Sequence, residues 1–358
     1  MGKTSITIKE IARQLGISKS TVSRALRDSS EISGATKERV IELARKLNYS
    51  PNPIALSLLK NQTHTIGIIV PDIDNPFFST AISGVEDVAY SRGYHVMIYQ
   101  SHESYEREMA DVRHIADRRA DGLIVSVASR SLHHQHFADL QEGGIPIVFF
   151  DRASNEVQTH KVLVDDYTSS FAGTEHLIEQ GCRKIAHVSG PMSLAISRNR
   201  CNGYRDALRK HKLPQRDEWV LEAEYNQAGG TERAYQLMAL RERPDGIFAA
   251  SDRIAIGVHW ALRQLGYRMP DDVALLGFSD LGVSSLLDPP LSSIAQPSFE
   301  MGRQSAELLL ELIENKSTPV TYETRVLKTH LQVRGSSLKI NAPVVQASAE
   351  IPEESYPS

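Results

Sequence analysis

The sequence predicts an α/β body of two lobes preceded by a small all-α helix-turn-helix head. Three observations carry this. From Thr65 onward, short apolar runs alternate with helix-period stretches, the rhythm of βαβ units around parallel sheets. About ten strands over roughly 270 residues exceed one compact sheet, so two lobes with a cleft between them are expected. Before them lie three short amphipathic helical stretches with no strand pattern.

The chain has 358 residues, 41% hydrophobic and 23% charged, a composition too apolar for a disordered polymer. No apolar run is long enough to span a membrane, and the N-terminal residues lack the apolar core of a signal peptide. Two cysteines, Cys182 and Cys201, cannot build a disulfide framework and suit a reducing cytoplasm. The formal net charge of −4 argues at first against a nucleic-acid partner. Its distribution reverses that reading. Residues 1–60 carry eleven cations and five anions, a net +6, which leaves −10 on the remainder.

Within the head, Ile8, Ile11, Ala12 and Leu15 share one helical face, and Thr7 with Glu10 forms the pattern of a capping box. Gly16 can end this helix in the left-handed conformation. Ser18 can cap a second helix over Lys19–Arg27, with Val22, Ala25 and Leu26 inward. A third helix places Val40, Leu43, Ala44 and Leu47 inward, with Ser33 or Thr36 near its start. Two short helices joined by a glycine-containing turn form a helix-turn-helix pattern. The outer face of its second helix offers Lys19, Ser20, Thr21, Ser23 and Arg24, donors suited to base edges and phosphates in a major groove. Thr7, Ser18, Ser23 and Thr36 are candidate phosphate donors. The same pattern also describes a three-helix bundle with a solvated basic face.

Pro51 and Pro53 break the helical pattern, and residues 54–59 form a short apolar stretch that could be helical only with outside support. This segment is either a switch or a tether. Strands follow at 66–70, 96–99, 123–127, 147–150, 162–164, 185–188, 246–250 and 273–278. Helices lie between them, including stretches near 167–180, 197–211, 230–240 and 254–265. Ligands of such sheets bind at the carboxyl ends of the strands. Asp72, Asn75, Phe77, Phe78, Ser126, Asp151, Arg152, Asp165, Asp166, Ser251, Asp252, Ser279 and Asp280 fall there, with Arg198 and Arg200 opening a later helix. Carboxylates and guanidinium groups beside aromatic faces suit a small polyhydroxylated ligand, although each residue alone could be a helix cap. His133, His134 and His136 lack a spaced partner ligand, so no metal is expected. No cofactor or nucleophile–base motif is present, and no catalytic residue is expected.

The runs Ile8-Lys9-Glu10-Ile11-Ala12 and Gly16-Ile17-Ser18-Lys19-Ser20-Thr21-Val22-Ser23-Arg24-Ala25-Leu26 resemble the DNA-binding head of the lac-repressor (LacI/GalR) family. So do Leu47-Asn48-Tyr49-Ser50-Pro51-Asn52 and the Ala55, Leu58 pair. In the body the resemblance continues through Asn75-Pro76-Phe77-Phe78, Asp121-Gly122-Leu123-Ile124, Arg200 with Gly203-Tyr204, Ala250-Ser251-Asp252 and Gly277-Phe278-Ser279-Asp280, so that it covers about Thr7 to Ser337. The resemblance implies a transcriptional regulator, most often a repressor, acting as a homodimer on double-stranded operator DNA. It implies base reading by Lys19, Ser20 and Arg24 and a minor-groove hinge of Asn52, Ala55 and Leu58, with Leu58 as the wedge. It implies a body like periplasmic sugar-binding proteins, crossed by three strands. Phe77, Phe78, Ser126, Asp151, Arg200 and Ser251 then map near the effector cleft, with Asp252, Ser279 and Asp280 at neighbouring strand ends.

The expected organisation is a head over residues 1–50, a hinge over 51–64 and a body over 65–337. Lobe 1 takes about 65–163 and 293–324, and lobe 2 about 164–292 and 325–337. Residues 338–358, rich in Pro, Ala, Ser and Glu, are expected to be a disordered tail. Two departures from the family matter. Ser279 stands where an aspartate is common, and Leu56 where a polar or basic hinge residue is common. The competing function is a transport or chemotaxis solute-binding protein of the same body fold, which the basic head opposes.

Overall fold

The computed structural model describes residues 7–26, 28–47, 49, 62–118, 120–131, 133–315 and 321–339. The hinge candidates Asn52, Ala55 and Leu58, Leu56 beside them, and the tail from residue 340 lie outside the described residues. The chain divides into two compact units, residues 1–63 and 64–358.

The head comprises α1 (Ile8–Leu15), α2 (Lys19–Ala25) and α3 (Gly34–Lys46). Ile11, Ala12, Val22, Ala25, Val40 and Ala44 meet in its core, with Leu26, Leu43, Leu47 and Tyr49 packed around them. Gly16 takes a left-handed φ of 65°, and its N–H donates to Ala12, turning the chain sharply into α2. The Ser18 side chain accepts from the Thr21 N–H at 3.0 Å, as expected of an N-cap. The capping box at α1 does not form. Thr7 sits at the N-cap without a side-chain cap bond, because Glu10 accepts instead from Arg13 at 2.7 Å and Gln14 at 3.0 Å. α2 ends at Ala25, with the Ser29 N–H folding back to the Arg24 carbonyl at 3.1 Å; Arg27, its expected end, lies outside the described residues.

The body holds two sheets. The first consists of β1 (Thr65–Val70), β2 (His95–Gln100), β3 (Gly122–Val125), β4 (Ile147–Phe150), β5 (His160–Val164) and, from late in the chain, β11 (Thr324–Leu327). Their order is β11-β5-β4-β3-β1-β2, parallel throughout. The second holds β6 (Ile185–Ser189), β7 (Val220–Glu222), β8 (Gly246–Ala249), β9 (Ala274–Ser279), β10 (Ser292–Ala295) and β12 (His330–Gln332). Its order is β12-β10-β9-β8-β6-β7, and only β12 runs antiparallel.

The first lobe's helices are α4 (Pro76–Ser91), α5 (Tyr105–Arg118), α6 (Gln135–Glu142) and α11 (Ser298–Glu314). Those of the second are α7 (Asp166–Glu179), α8 (Ala195–Lys210), α9 (Gln227–Ala239) and α10 (Asp252–Gln264). The α4 and α11 backbones touch: a Cβ on Gly84 would lie 2.0 Å from the Phe299 carbonyl oxygen, and one on Gly302 1.9 Å from that of Ala81. The expected lobe boundaries shift. Because β10 belongs to the second sheet, the second crossing follows Ala295 rather than preceding residue 293. Because β11 belongs to the first, the third follows Leu327 rather than residue 324. β10 gave no apolar signal because its buried Ser292 and Ser293 satisfy their hydroxyls internally, on the Arg334 carbonyl and Asp252. No helix among the described residues is long and apolar enough to cross a membrane.

The second lobe buries an acid-sensitive group. His187 of β6 stacks between Tyr204 and Phe248, with ring centroids 5.2 and 4.9 Å away, and its Nδ1–H donates to the Phe248 carbonyl at 2.9 Å. Burial pulls its pKa down to about 4, and that of His176 likewise to about 4. The unfolded chain therefore takes up protons the folded lobe refuses as pH falls from ~6.5. This stability is present above that range and is lost toward pH 4, at up to ~1.4 kcal/mol per pH unit for each group. Urea unfolding between pH 7 and 4 should show a falling midpoint, with a shallower fall in His187→Phe. An equal fall in the variant would assign the acid sensitivity elsewhere.

Candidate functional site

On the head, packing of Val22 and Ala25 into the core turns Lys19, Ser20 and Arg24 outward from α2. Thr21 and Ser23 flank them, half-buried. The Ser18 hydroxyl lies 2.6 Å from that of Ser20 and 2.8 Å from that of Thr21, a cluster of small donors at the start of the helix. Ser33 and Thr36 pair their hydroxyls at 2.9 Å at the start of α3. The Arg24 guanidinium rests on Glu31 at 2.6 Å, both side chains more than half exposed. Such a pair contributes little in water, so Arg24 can exchange Glu31 for another acceptor at small cost.

In the body, the carboxyl ends of several strands converge on a buried charged cluster. Asp151 follows β4 with φ 57°, and Arg152 comes next; both are buried. Ser126, after β3, donates to Asp151 at 3.4 Å. Arg152 Nη1 reaches both carboxylate oxygens of Glu103 at 2.9 Å, and the Ser129 N–H fixes Glu103 at 2.7 Å. His102 and Glu103 both adopt positive φ, which turns the loop after β2 toward this pair. The Arg152 guanidinium lies 5.0 Å from the Tyr225 ring centroid of the second lobe and 5.7 Å from that of Phe78 in the first.

Facing them, Arg200 of α8 is 2% exposed. It donates to Asp166 at 2.7 Å and to the Ala250 carbonyl at 2.6 Å, and stacks 3.7 Å from the Phe278 ring centroid. Burial pushes the Asp166 carboxyl up despite Arg200, and it does the same to Asp151. Gln296, at the second lobe crossing, accepts from Ser279 at 2.9 Å. Arg152 Nε, 3.8 Å from Asp151 Oδ2, is a buried donor with no hydrogen-bond partner among the described residues. The cluster thus combines carboxylate acceptors, guanidinium and amide donors and aromatic faces, a set able to hold hydroxyl groups in directed pairs.

Not every expected residue joins it. Phe78 packs edge-on against Phe150 at 6.2 Å within the core and reaches the cluster only through Arg152. Phe77 is likewise buried in the core of the first lobe. Ser251 is spent as the N-cap of α10, accepting from the Ile254 N–H. Asp252 is wholly buried as a fold clasp, accepting from the Leu281 N–H at 2.8 Å and from the Ser284 and Ser293 hydroxyls. Asp280 is committed to Arg334 at 2.6 Å. These three serve the fold because each carboxylate or hydroxyl found its donors inside one lobe. Asn75 similarly caps α4, and Arg198 is spent on the Met192 and Ser193 carbonyls. Glu103, Tyr225 and Gln296 were not anticipated. Only their positions just beyond strand ends could have flagged them.

Residues 7–52 match the family described as bacterial regulatory proteins, lacI family. Residues 63–340 match periplasmic binding proteins and sugar binding domain of LacI family. The HTH-type transcriptional repressor PurR of Vibrio vulnificus is 32% identical over 337 residues, covering 94% of this chain and 99% of that protein. The ribose operon repressor of Haemophilus influenzae is 31% identical over 331 residues, covering 92% and 98%. Among solved structures, a transcriptional regulator CelR–cellobiose complex superposes with a TM-score of 0.69 at 29% identity, covering 92% of this chain and 99% of that one.

Proposed function

The chain belongs to the LacI family of bacterial regulators, and on that premise we propose how its parts divide the work. It is a DNA-binding repressor whose hold on its operator is controlled by a small-molecule effector. The match of its head to regulatory proteins favours this reading over a solute-binding protein, whose body fold it shares. The head reads base edges with Lys19, Ser20 and Arg24 and grips phosphates through Thr7, Ser18, Thr21, Ser23 and Thr36. Two copies act on a pseudo-palindromic site, with Asn52, Ala55 and Leu58 reaching the minor groove between half-sites. Salt-titrated binding to genomic fragments tests this. Specific fragments retained at moderate salt are expected, and their absence would refute it.

The effector sits against Ser126, Asp151, Arg152, Arg200 and Gln296, and it is a neutral polyhydroxylated molecule. The observation that carries this is the pairing of both buried guanidinium groups, Arg152 with Glu103 and Arg200 with Asp166, while Asp151 adds a third carboxylate. A phosphorylated or acidic sugar would bring another anion to a cluster whose cations are already matched. Relatives that are a ribose operon repressor and a regulator solved with cellobiose support the sugar class. A thermal-shift panel of matched pairs, D-ribose with ribose 5-phosphate and glucose with gluconate among them, reads the charge preference. Stabilisation by a neutral member is expected; stronger stabilisation by its anionic counterpart would overturn the charge argument.

A further inference from the structure

Outside the charged cluster, one ion pair joins the two lobes in an arrangement that local structure disfavours. Arg253 is the second residue of α10, in the second lobe. A cation in the first turn of a helix opposes the helix dipole. Its Nη1 pairs with Asp72 Oδ2 of the first lobe, just beyond β1. Asp72 is preset for this contact, since its other oxygen accepts from the Asp74 N–H at 3.1 Å and from Gln100 Nε2 at 3.2 Å. Both partners are largely shielded, with 25% and 31% of their side chains exposed. Among the described residues the other charged bridge between the lobes, Arg130 to Glu224 at 3.1 Å, is far more open to solvent, at 70% and 50%. Ser193 adds a neutral link to the Ser129 carbonyl at 2.7 Å.

We propose that Asp72 and Arg253 form an interlobe latch, a positioning pair that biases the body toward the closed arrangement and thereby sets effector affinity. This rests on reading the cluster as the effector site. An effector gripped from both lobes binds with an apparent affinity scaled by the fraction of closed body. Breaking this largely shielded but still solvent-reachable pair should raise the open-to-closed ratio about two- to fivefold. High salt should act in the same direction, since the pair is partly screened.

The latch is tested by pulsed electron–electron distance measurement on the full chain, without DNA or effector. Spin labels go on Glu142→Cys at the end of α6 and Gln236→Cys on α9, both exposed, while the buried Cys182 and Cys201 stay in place. Asp72→Asn keeps an oxygen for the Asp74 N–H, so its loop is retained. This variant and Arg253→Gln should each shift the distances away from the parent distribution toward a more open pair of lobes. Arg253→Lys should shift them less, and the exchange Asp72→Arg with Arg253→Asp should return them toward the parent. Unchanged distances in both single variants would overturn the proposal. So would a shift that the charge exchange fails to reverse, since a fold defect and not the pair would then be its cause. A failed effector panel or DNA titration would instead count against the functional reading and leave this result standing.

Discussion

Arg200→Ala is expected to destabilise the body by about 3–5 kcal/mol, well beyond the loss of an effector contact. Arg200 answers Asp166, the Ala250 carbonyl and the Phe278 face at once from a fully buried position. Its removal leaves the Asp166 carboxylate desolvated beside Asp151, with the burial that already raises its pKa no longer opposed by a guanidinium. Asp166 will then take up a proton at higher pH, and folding bears that cost. Urea unfolding followed by a probe in the body measures it. The double variant Asp166→Asn with Arg200→Met should recover part of the loss, because no charge is stranded. A loss below ~1 kcal/mol in Arg200→Ala would show that water relieves Asp166 and that the cluster is looser than drawn. By its mapped place near the effector cleft, this substitution strikes the effector response. Burial makes it a substitution in the fold as well, so its effector phenotype is best read in a variant that still melts cooperatively.

Arg24→Ala should cost the operator about 1–3 kcal/mol of discrimination, or roughly five- to 150-fold, as expected for a lost bidentate base contact. Competition between operator and scrambled duplexes at fixed salt measures it. Nonspecific affinity should fall much less, since one cation among the eleven of residues 1–60 is removed. Glu31→Gln should act oppositely and raise affinity modestly, because Arg24 no longer leaves a partner to reach DNA. Unchanged discrimination in Arg24→Ala would remove it from the base-reading face.

Much of this molecule is written locally. The head follows from helix-period apolar positions, a left-handed glycine at residue 16 and a serine cap at residue 18, each readable within a few neighbours. The capping box failed for an equally local reason: Glu10 had two competing partners one turn ahead. In the body, strands β1, β3, β4, β6, β8 and β9 announced themselves because central parallel strands are buried on both faces and read as apolar runs. β10 and β12 did not: the serines of β10 are satisfied by partners far along the chain, and β12 is an edge strand with His330 and Gln332 exposed.

Strand ends named the neighbourhood of the cleft but not its membership. Asp151 and Asp252 look alike in sequence, each an aspartate just past a buried strand. One faces the cluster and the other is swallowed by Leu281, Ser284 and Ser293. By itself the sequence determined the division into a basic head and an acidic body, the helix-turn-helix and its outward face, and the alternating α/β architecture. These depend on periodicity and charge that neighbouring residues share. Only the tertiary structure decided which carboxylate neutralises which arginine, that Asp72 and Arg253 meet across the lobes, and which polar residues are left to bind. Those outcomes depend on which strand ends abut, a property of chain crossings that separate partners such as Glu103 and Arg152, or Asp72 and Arg253, by long stretches of sequence.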